Sequence, residues 1–385
     1  MEPQSVEVAV AAIENKNFTA LGCAMMAAAV SLPMPGSALA EAVPERGMVG
    51  LKYLDYQESQ PGDPRIKVQA TAFTAMVPVA GEWTLRSTLT SDAISGASPV
   101  YHTTALQKMR DRRNALDASV TRYFPDGALT LGASYSTETD YLSRGLSVVG
   151  RYSNDSKNTT WSAGIGILRD TINPVNGIVE NATKSVTDLM AGVTQVLTPN
   201  DIVQVNLGLS LGNGYFSDPY KVYDSRPEDH NRNTALVRWN HHLESTRATA
   251  RLSYRYYSDN WGIRSHTLGA EYVQPMGQDW TVTPLLRYYT QSAADFYVEA
   301  DPSTDPFPPN PAPDAIYSTE DQRMSAFGAI TWGFKLERKL GADWLLDFKF
   351  ENYGQRANWR PAGGGSTGLL PFNAVSYQLG VSRQF

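Results

Sequence analysis

The chain has 385 residues, 42% hydrophobic, 10% aromatic and 19% charged, with 33 Lys and Arg against 39 Asp and Glu, a formal charge of −6 and a single Cys. No run approaches the roughly 20 continuous apolar residues of a membrane-crossing helix, and the acidic balance argues against a general nucleic-acid binder. One Cys excludes a disulfide framework, a Cys-ligated metal centre and CxxCH haem attachment, and nothing in the sequence asks for a metal or another cofactor.

The first element is an export signal. Residues 19–32 are small and apolar, and Ala38-Leu39-Ala40 precedes Glu41. This is the order of a hydrophobic segment and an A-x-A cleavage site, so residues 1–40 are expected to be removed, leaving 41–385. Glu2, Glu7 and Glu14 are out of keeping with a basic leader start and point to initiation downstream of Met1.

From residue 46 onward the dominant signal is period two. Residues 203–212 read Val-Gln-Val-Asn-Leu-Gly-Leu-Ser-Leu-Gly, with aliphatics at every odd position. A strand sends successive side chains to opposite faces, so one face is greasy and the other wet. Sixteen such strands are predicted: 47–57, 65–78, 82–91, 113–124, 128–138, 143–153, 158–169, 184–198, 201–212, 233–242, 246–257, 263–275, 280–290, 323–338, 343–353 and 373–385.

Their connections alternate in length. Short turns such as Ala80-Gly81 and Met276-Gly277-Gln278 interleave with long ones at 92–112, 170–183, 213–232, 291–322 and 354–372. That asymmetry predicts an all-β, antiparallel up-and-down transmembrane barrel with periplasmic turns and external loops. Glycine turns followed by Trp recur at Gly81/Trp83, Gly277/Trp280 and Gly341/Trp344, and Trp161 and Trp239 fall on the same side. Five Trp near one rim suit an interfacial girdle. The last strand places Tyr377, Leu379 and the terminal Phe385 on one face, which resembles the signal that outer-membrane barrels present to the insertion machinery.

Lys52-Tyr53-Leu54-Asp55-Tyr56, residues 90–99 and Ser136-Thr137-Glu138-Thr139-Asp140-Tyr141 resemble a family of Gram-negative outer-membrane proteins catalogued as a domain of unknown function. The resemblance spans the mature chain and implies an outer-membrane location and a porin-like barrel. It also implies a role in redox or cofactor traffic beside a periplasmic or lipoprotein partner, which would make the barrel a scaffold. It transfers no activity to particular residues.

If the aliphatics face lipid, the other register faces water. This assigns Arg86, Arg238, Arg247, Arg251, Arg255 and Arg287 to the lumen as an anion-attracting wall, relieved by Glu271. The longest loop carries Asp295, Glu299, Asp301, Asp305, Asp314, Glu320 and Asp321 with six prolines and no Lys or Arg over 291–321. It is expected to fold over the lumen and constrict it. Lys108, Arg110, Arg112 and Arg113 are expected to meet lipopolysaccharide phosphates. A hydrolase is the rival reading, but five His without an HExxH or a triad spacing give it no motif. Passage of small, anionic solutes is the leading expectation.

Overall fold

The structure is a computed structural model describing residues 43–300, 311–361 and 364–385. The expected export segment 1–40 and the loop residues Asp301 and Asp305 lie outside the described residues. Sixteen strands follow one another: β1 (Met48–Gln60), β2 (Asp63–Val79), β3 (Trp83–Tyr101), β4 (Thr104–Phe124), β5 (Gly127–Thr137), β6 (Tyr141–Ser153), β7 (Thr159–Ile172) and β8 (Ala182–Thr198), then β9 (Asp201–Gly214), β10 (Asp229–Leu243), β11 (Ala248–Asp259), β12 (Arg264–Met276), β13 (Trp280–Gln291), β14 (Phe327–Leu340), β15 (Trp344–Arg356) and β16 (Phe372–Gln384).

Each strand pairs antiparallel with its sequence neighbours. The sheet closes where β1 meets β16, from Met48↔Gln384 to Ser59↔Asn373. Gly47 and Phe385 extend that seam by exchanging two backbone hydrogen bonds, 2.9 and 3.0 Å. No strand is left as an edge, so the ladder N–H and C=O groups are satisfied within the sheet.

The faces are inverted relative to a water-soluble sandwich. On β9, Leu207 is 57% exposed on the outside while Asn206 is 8% exposed within. Leu131, Leu146, Ile167, Leu268 and Leu379 continue the outer apolar face around the cylinder. An apolar band of this extent does not persist in water; against hydrocarbon it is the lining a barrel requires. The chain is therefore a transmembrane β-barrel of the outer-membrane type.

The turns at one end are tight: 80–82, 125–126, 154–158, 199–200, 244–247, 277–279 and 341–343. Gly81, Gly277 and Gly341 take φ of 70°, 68° and 64° there, a left-handed backbone open to glycine at no steric cost. The recurring glycine before each Trp thus has a conformational cause. The other end carries long connections at 173–181, 215–228, 292–326 and 357–371.

Two expectations are corrected. The supposed loop 92–112 is a hairpin: β3 and β4 run on to Tyr101 and Thr104, joined by His102 and Thr103. Its outward pairs Ala93↔Arg112, Ser95↔Arg110 and Ala97↔Lys108 carry no large apolar side chain, as suits a ribbon that stands beyond the hydrocarbon, where alternation has nothing to answer to. Arg247, expected on the lumen face of the eleventh strand, is exposed in the turn before it, with φ 56°. β11 begins one residue later, so Arg247 leaves the stripe.

Candidate functional site

The lumen wall is decided by parity. On β10 Val237 and Trp239 face out, so Arg238 faces in; on β11 Leu252 and Tyr254 face out, so Arg251 and Arg255 face in; on β13 Leu286 faces out, so Arg287 faces in. Register then brings them together. Arg238 lies opposite Ser253, Ser253 opposite Gly269, and Gly269 opposite Arg287. Arg251 and Arg255 stand two positions to either side of Ser253. Four arginines therefore surround a floor of two small residues, spanning about 14 Å across three strand spacings. A side chain at Gly269 would lie 2.7 Å from the Ser253 hydroxyl, so the floor is kept low by composition. Glu271 accepts from Arg251 at 3.5 Å, and the Arg255 guanidinium sits 6.0 Å from the Tyr257 ring. Arg86, on β3, faces in from a strand eight places from β11, half the circumference away.

The adjoining wall is charged but matched. Lys335 pairs with Glu337 at 2.8 Å, Lys349 with Glu351 at 3.3 Å and Lys52 with Asp347 at 3.3 Å. These inward pairs on β14, β15 and β1 were missed in the sequence, although alternation over 335–351 carries them. Their charges cancel locally, whereas the β10–β13 patch gathers four arginines beside one carboxylate, Glu271.

The external mouth is crossed by the described parts of this connection, 292–300 and 311–326. Ser225 and Ser318 exchange backbone hydrogen bonds, Ala294 donates to Met324, and Asp295 N–H donates to the Trp261 carbonyl. Phe216, Trp261, Ile263, Ala294 and Met324 pack into one buried apolar cluster. On the far side Arg65 of β2 donates to Gln322 at 3.0 Å, and Glu320 lies 3.9 Å from His102 at the β3–β4 tip. Contacts on β2 and β3 as well as at the β11–β12 turn mean that the segment spans the opening.

An ion cluster pins it. Arg226 donates to Asp224 at 2.7 Å and to Asp321 at 3.0 Å; Arg323 pairs with Asp321 and with Asp218, the latter at 2.6 Å. Burial pushes the Asp321 carboxyl up, but Arg323, Lys221 and Arg226 outweigh it and hold it well below the usual range. Glu320 has no such help and is pushed up to about 7 by burial. Burial, with Lys221 beside it, lowers His102 to about 4.

The acids that engage are thus Glu320 and Asp321. Of the predicted constriction residues, Asp295, Glu299 and Asp314 are exposed, and Glu299 accepts from the Thr367 backbone at 3.2 Å. None of them reaches the strand arginines in the described residues, because the segment's counter-cations come from Arg226 and Arg323. Sequence reasoning missed this cluster, whose members lie in two loops about a hundred positions apart. It also missed the approach of Asp111, Glu138 and Asp140, whose oxygens lie within 4.8 Å of one another; Thr139 donates to Asp111 at 2.9 Å and Tyr220 to Asp140. Among the histidines, His230 meets Asp259 at 3.0 Å, His241 meets Asp201 at 2.8 Å and His266 meets the Tyr254 hydroxyl at 2.8 Å.

Tyr377, Leu379 and Phe385 all face outward and are exposed on β16 and its end.

The profile of a family described as "Protein of unknown function (DUF3570)" matches residues 18–109, 105–182 and 177–377. No curated protein matches the chain. Among solved structures, a bacterial polysaccharide outer membrane secretin is similar over 88% of this chain and 98% of its own, at 10% identity and a TM-score of 0.50. OccK2 (OpdF) of Pseudomonas aeruginosa in complex with glucuronate is similar over 88% and 98%, at 12% identity and 0.46. The siderophore receptor PirA from Pseudomonas aeruginosa is similar over 82% of this chain and 57% of its own, at 11% identity and 0.44, so this chain spans little more than half that receptor's length. At 10% identity the likeness to the secretin is one of fold.

Proposed function

This chain belongs to the DUF3570 family, and from that premise we propose that its porin-like barrel passes small anionic solutes across the outer membrane, with 292–326 restricting the external mouth. The observation that carries this is the patch of Arg238, Arg251, Arg255 and Arg287 around Ser253 and Gly269, beside a wall whose lysines are matched by carboxylates. Guanidinium stays charged at any working pH and grips carboxylate or phosphate through two parallel N–H donors. Charged side chains at a pore wall set ion preference by local field, whatever the net charge of the protein. The outward Tyr377, Leu379 and Phe385 would serve insertion, as the exposed face of the closing strand.

The test is ion selectivity. Replacing Arg238, Arg251, Arg255 and Arg287 by Ser should move the reversal potential in a salt gradient toward cation permeation. An unmoved reversal potential removes the patch from the mechanism.

A further inference from the structure

The outer surface has a charge pattern of its own. Arg144 on β6 and Arg169 on β7 are direct cross-strand partners. Both are exposed, and both lie on the lipid-facing register: Leu146 and Ile167, the next residues inward along the same faces, are exposed aliphatics. The pair therefore stands immediately above the apolar band, at the end that carries the long loops. Like charges directly opposite on an antiparallel ladder repel, and neither guanidinium is paired with a carboxylate among the described residues.

β4 adds to it. Lys108, Arg110 and Arg112 alternate along the outward face that Leu116 continues below, and all three are exposed. The outward positions between these cations are Asn114, Tyr135, Thr137, Leu142, Thr171 and Ser185, none of them acidic. Five cations thus share one quadrant with no acid among the outward strand positions between them; the carboxylates of that end, Asp111, Glu138 and Asp140, are gathered together at the β5–β6 tip. The opposite rim is built differently: Arg122, Arg338 and Arg383 lie over the rings of Trp83, Trp280 and Trp344 at 5.3, 5.0 and 5.4 Å.

We propose that the outward face of β4, β6 and β7 at the long-loop rim is a docking surface for the phosphate groups of an anionic glycolipid in the outer leaflet. A phosphate between Arg144 and Arg169 turns their repulsion into two charge-assisted contacts. Its acyl chains then fall along Leu146 and Ile167. A second phosphate reaches Lys108, Arg110 and Arg112. The assignment rests on the transmembrane reading of the barrel and is independent of what the lumen passes.

The experiment uses the full barrel refolded in detergent micelles doped with diphosphoryl lipid A, its dephosphorylated form, or inorganic phosphate alone, with retention read by native mass spectrometry. Wild type should retain diphosphoryl lipid A, with retention falling as salt rises. R144Q/R169Q should weaken it about tenfold, and K108Q/R110Q/R112Q should weaken it as well. R122Q/R338Q, on the other rim, should retain it like wild type. R144Q/R169Q should melt no lower than wild type, because a repulsive pair is gone; R169Q alone gives the same comparison if the double variant does not fold. Equal retention by R144Q/R169Q and wild type overturns the proposal. So does equal binding of dephosphorylated lipid, or inorganic phosphate binding as tightly as the lipid.

Discussion

Trp344 stands directly opposite Arg383 across the β15–β16 ladder, with the guanidinium 5.4 Å from the indole ring. The same relationship joins Trp83 to Arg122 and Trp280 to Arg338. All three Trp of the recurring glycine turn thus carry an arginine from the next strand, which pins an apolar ring at the level where headgroups begin.

Each such contact is worth about 0.5–1 kcal/mol at an exposed site. R383Q is expected to lower the unfolding free energy of the vesicle-inserted barrel in urea by about that amount. R383Q in a W344L background should then cost nothing further; an unchanged loss there would assign the effect to something other than the ring.

Gly47 packs under the Phe385 ring at the closing seam. A Cβ at this position would sit 2.6 Å from the Phe385 ring, and the two residues exchange both backbone hydrogen bonds. G47V should therefore impair folding more than V49A, two residues further into the seam. The heat-modifiable mobility shift of refolded barrel reads this directly, and a G47V barrel that refolds in wild-type yield would contradict it.

Asp321 ties the mouth segment to its neighbours. It accepts from Arg226 and Arg323 while buried, and removing one partner of a buried ion pair costs about 3–5 kcal/mol. D321N should release 292–326 and lengthen open dwell times in single-channel records. Unaltered dwell times would show that the ion cluster does not hold the segment.

The His102–Glu320 contact gives a pH signature. Glu320 binds protons more tightly in the closed mouth, with its pKa raised from 4.5 to about 7, so its support for closure is complete below 4.5 and lost as pH rises through 7. His102 is lowered from 6.5 to about 4, so its support is complete above 6.5 and lost as pH falls through 4. Between 4.5 and 6.5 the two oppose, with one proton passing from His102 to Glu320 on closing, and wild-type gating should be nearly flat. H102N should favour closure in acid and open as pH rises through 7; E320Q should do the reverse and open on acidification. Open probability against pH for the two variants tests this, and parallel curves would contradict it.

The barrel was legible because two solvents alternate along every strand. Leu207 beside Asn206, or Leu252 beside Arg251, states in sequence which side meets lipid. Parity also fixes the face of Arg238, Arg255 and Arg287. It does not say where a strand begins, which is why Arg247 was assigned to the wall when it belongs to a turn. It is silent outside the membrane too, where the ribbon of Ser95, Ala97, Lys108 and Arg110 reads as a loop. The pairing of Arg226 with Asp321, or of Trp280 with Arg338, depends on which chain segments meet, and composition carries no record of that.

The central claim is a solute path through the barrel that 292–326 restricts. Conductance across planar bilayers, measured for the refolded wild type and for a chain lacking 296–316, tests it most directly. The account predicts stepwise currents with an anion-preferring reversal potential, larger and more often open after the deletion. A deleted barrel that inserts and folds yet passes no current, or passes the same current as wild type, would contradict it.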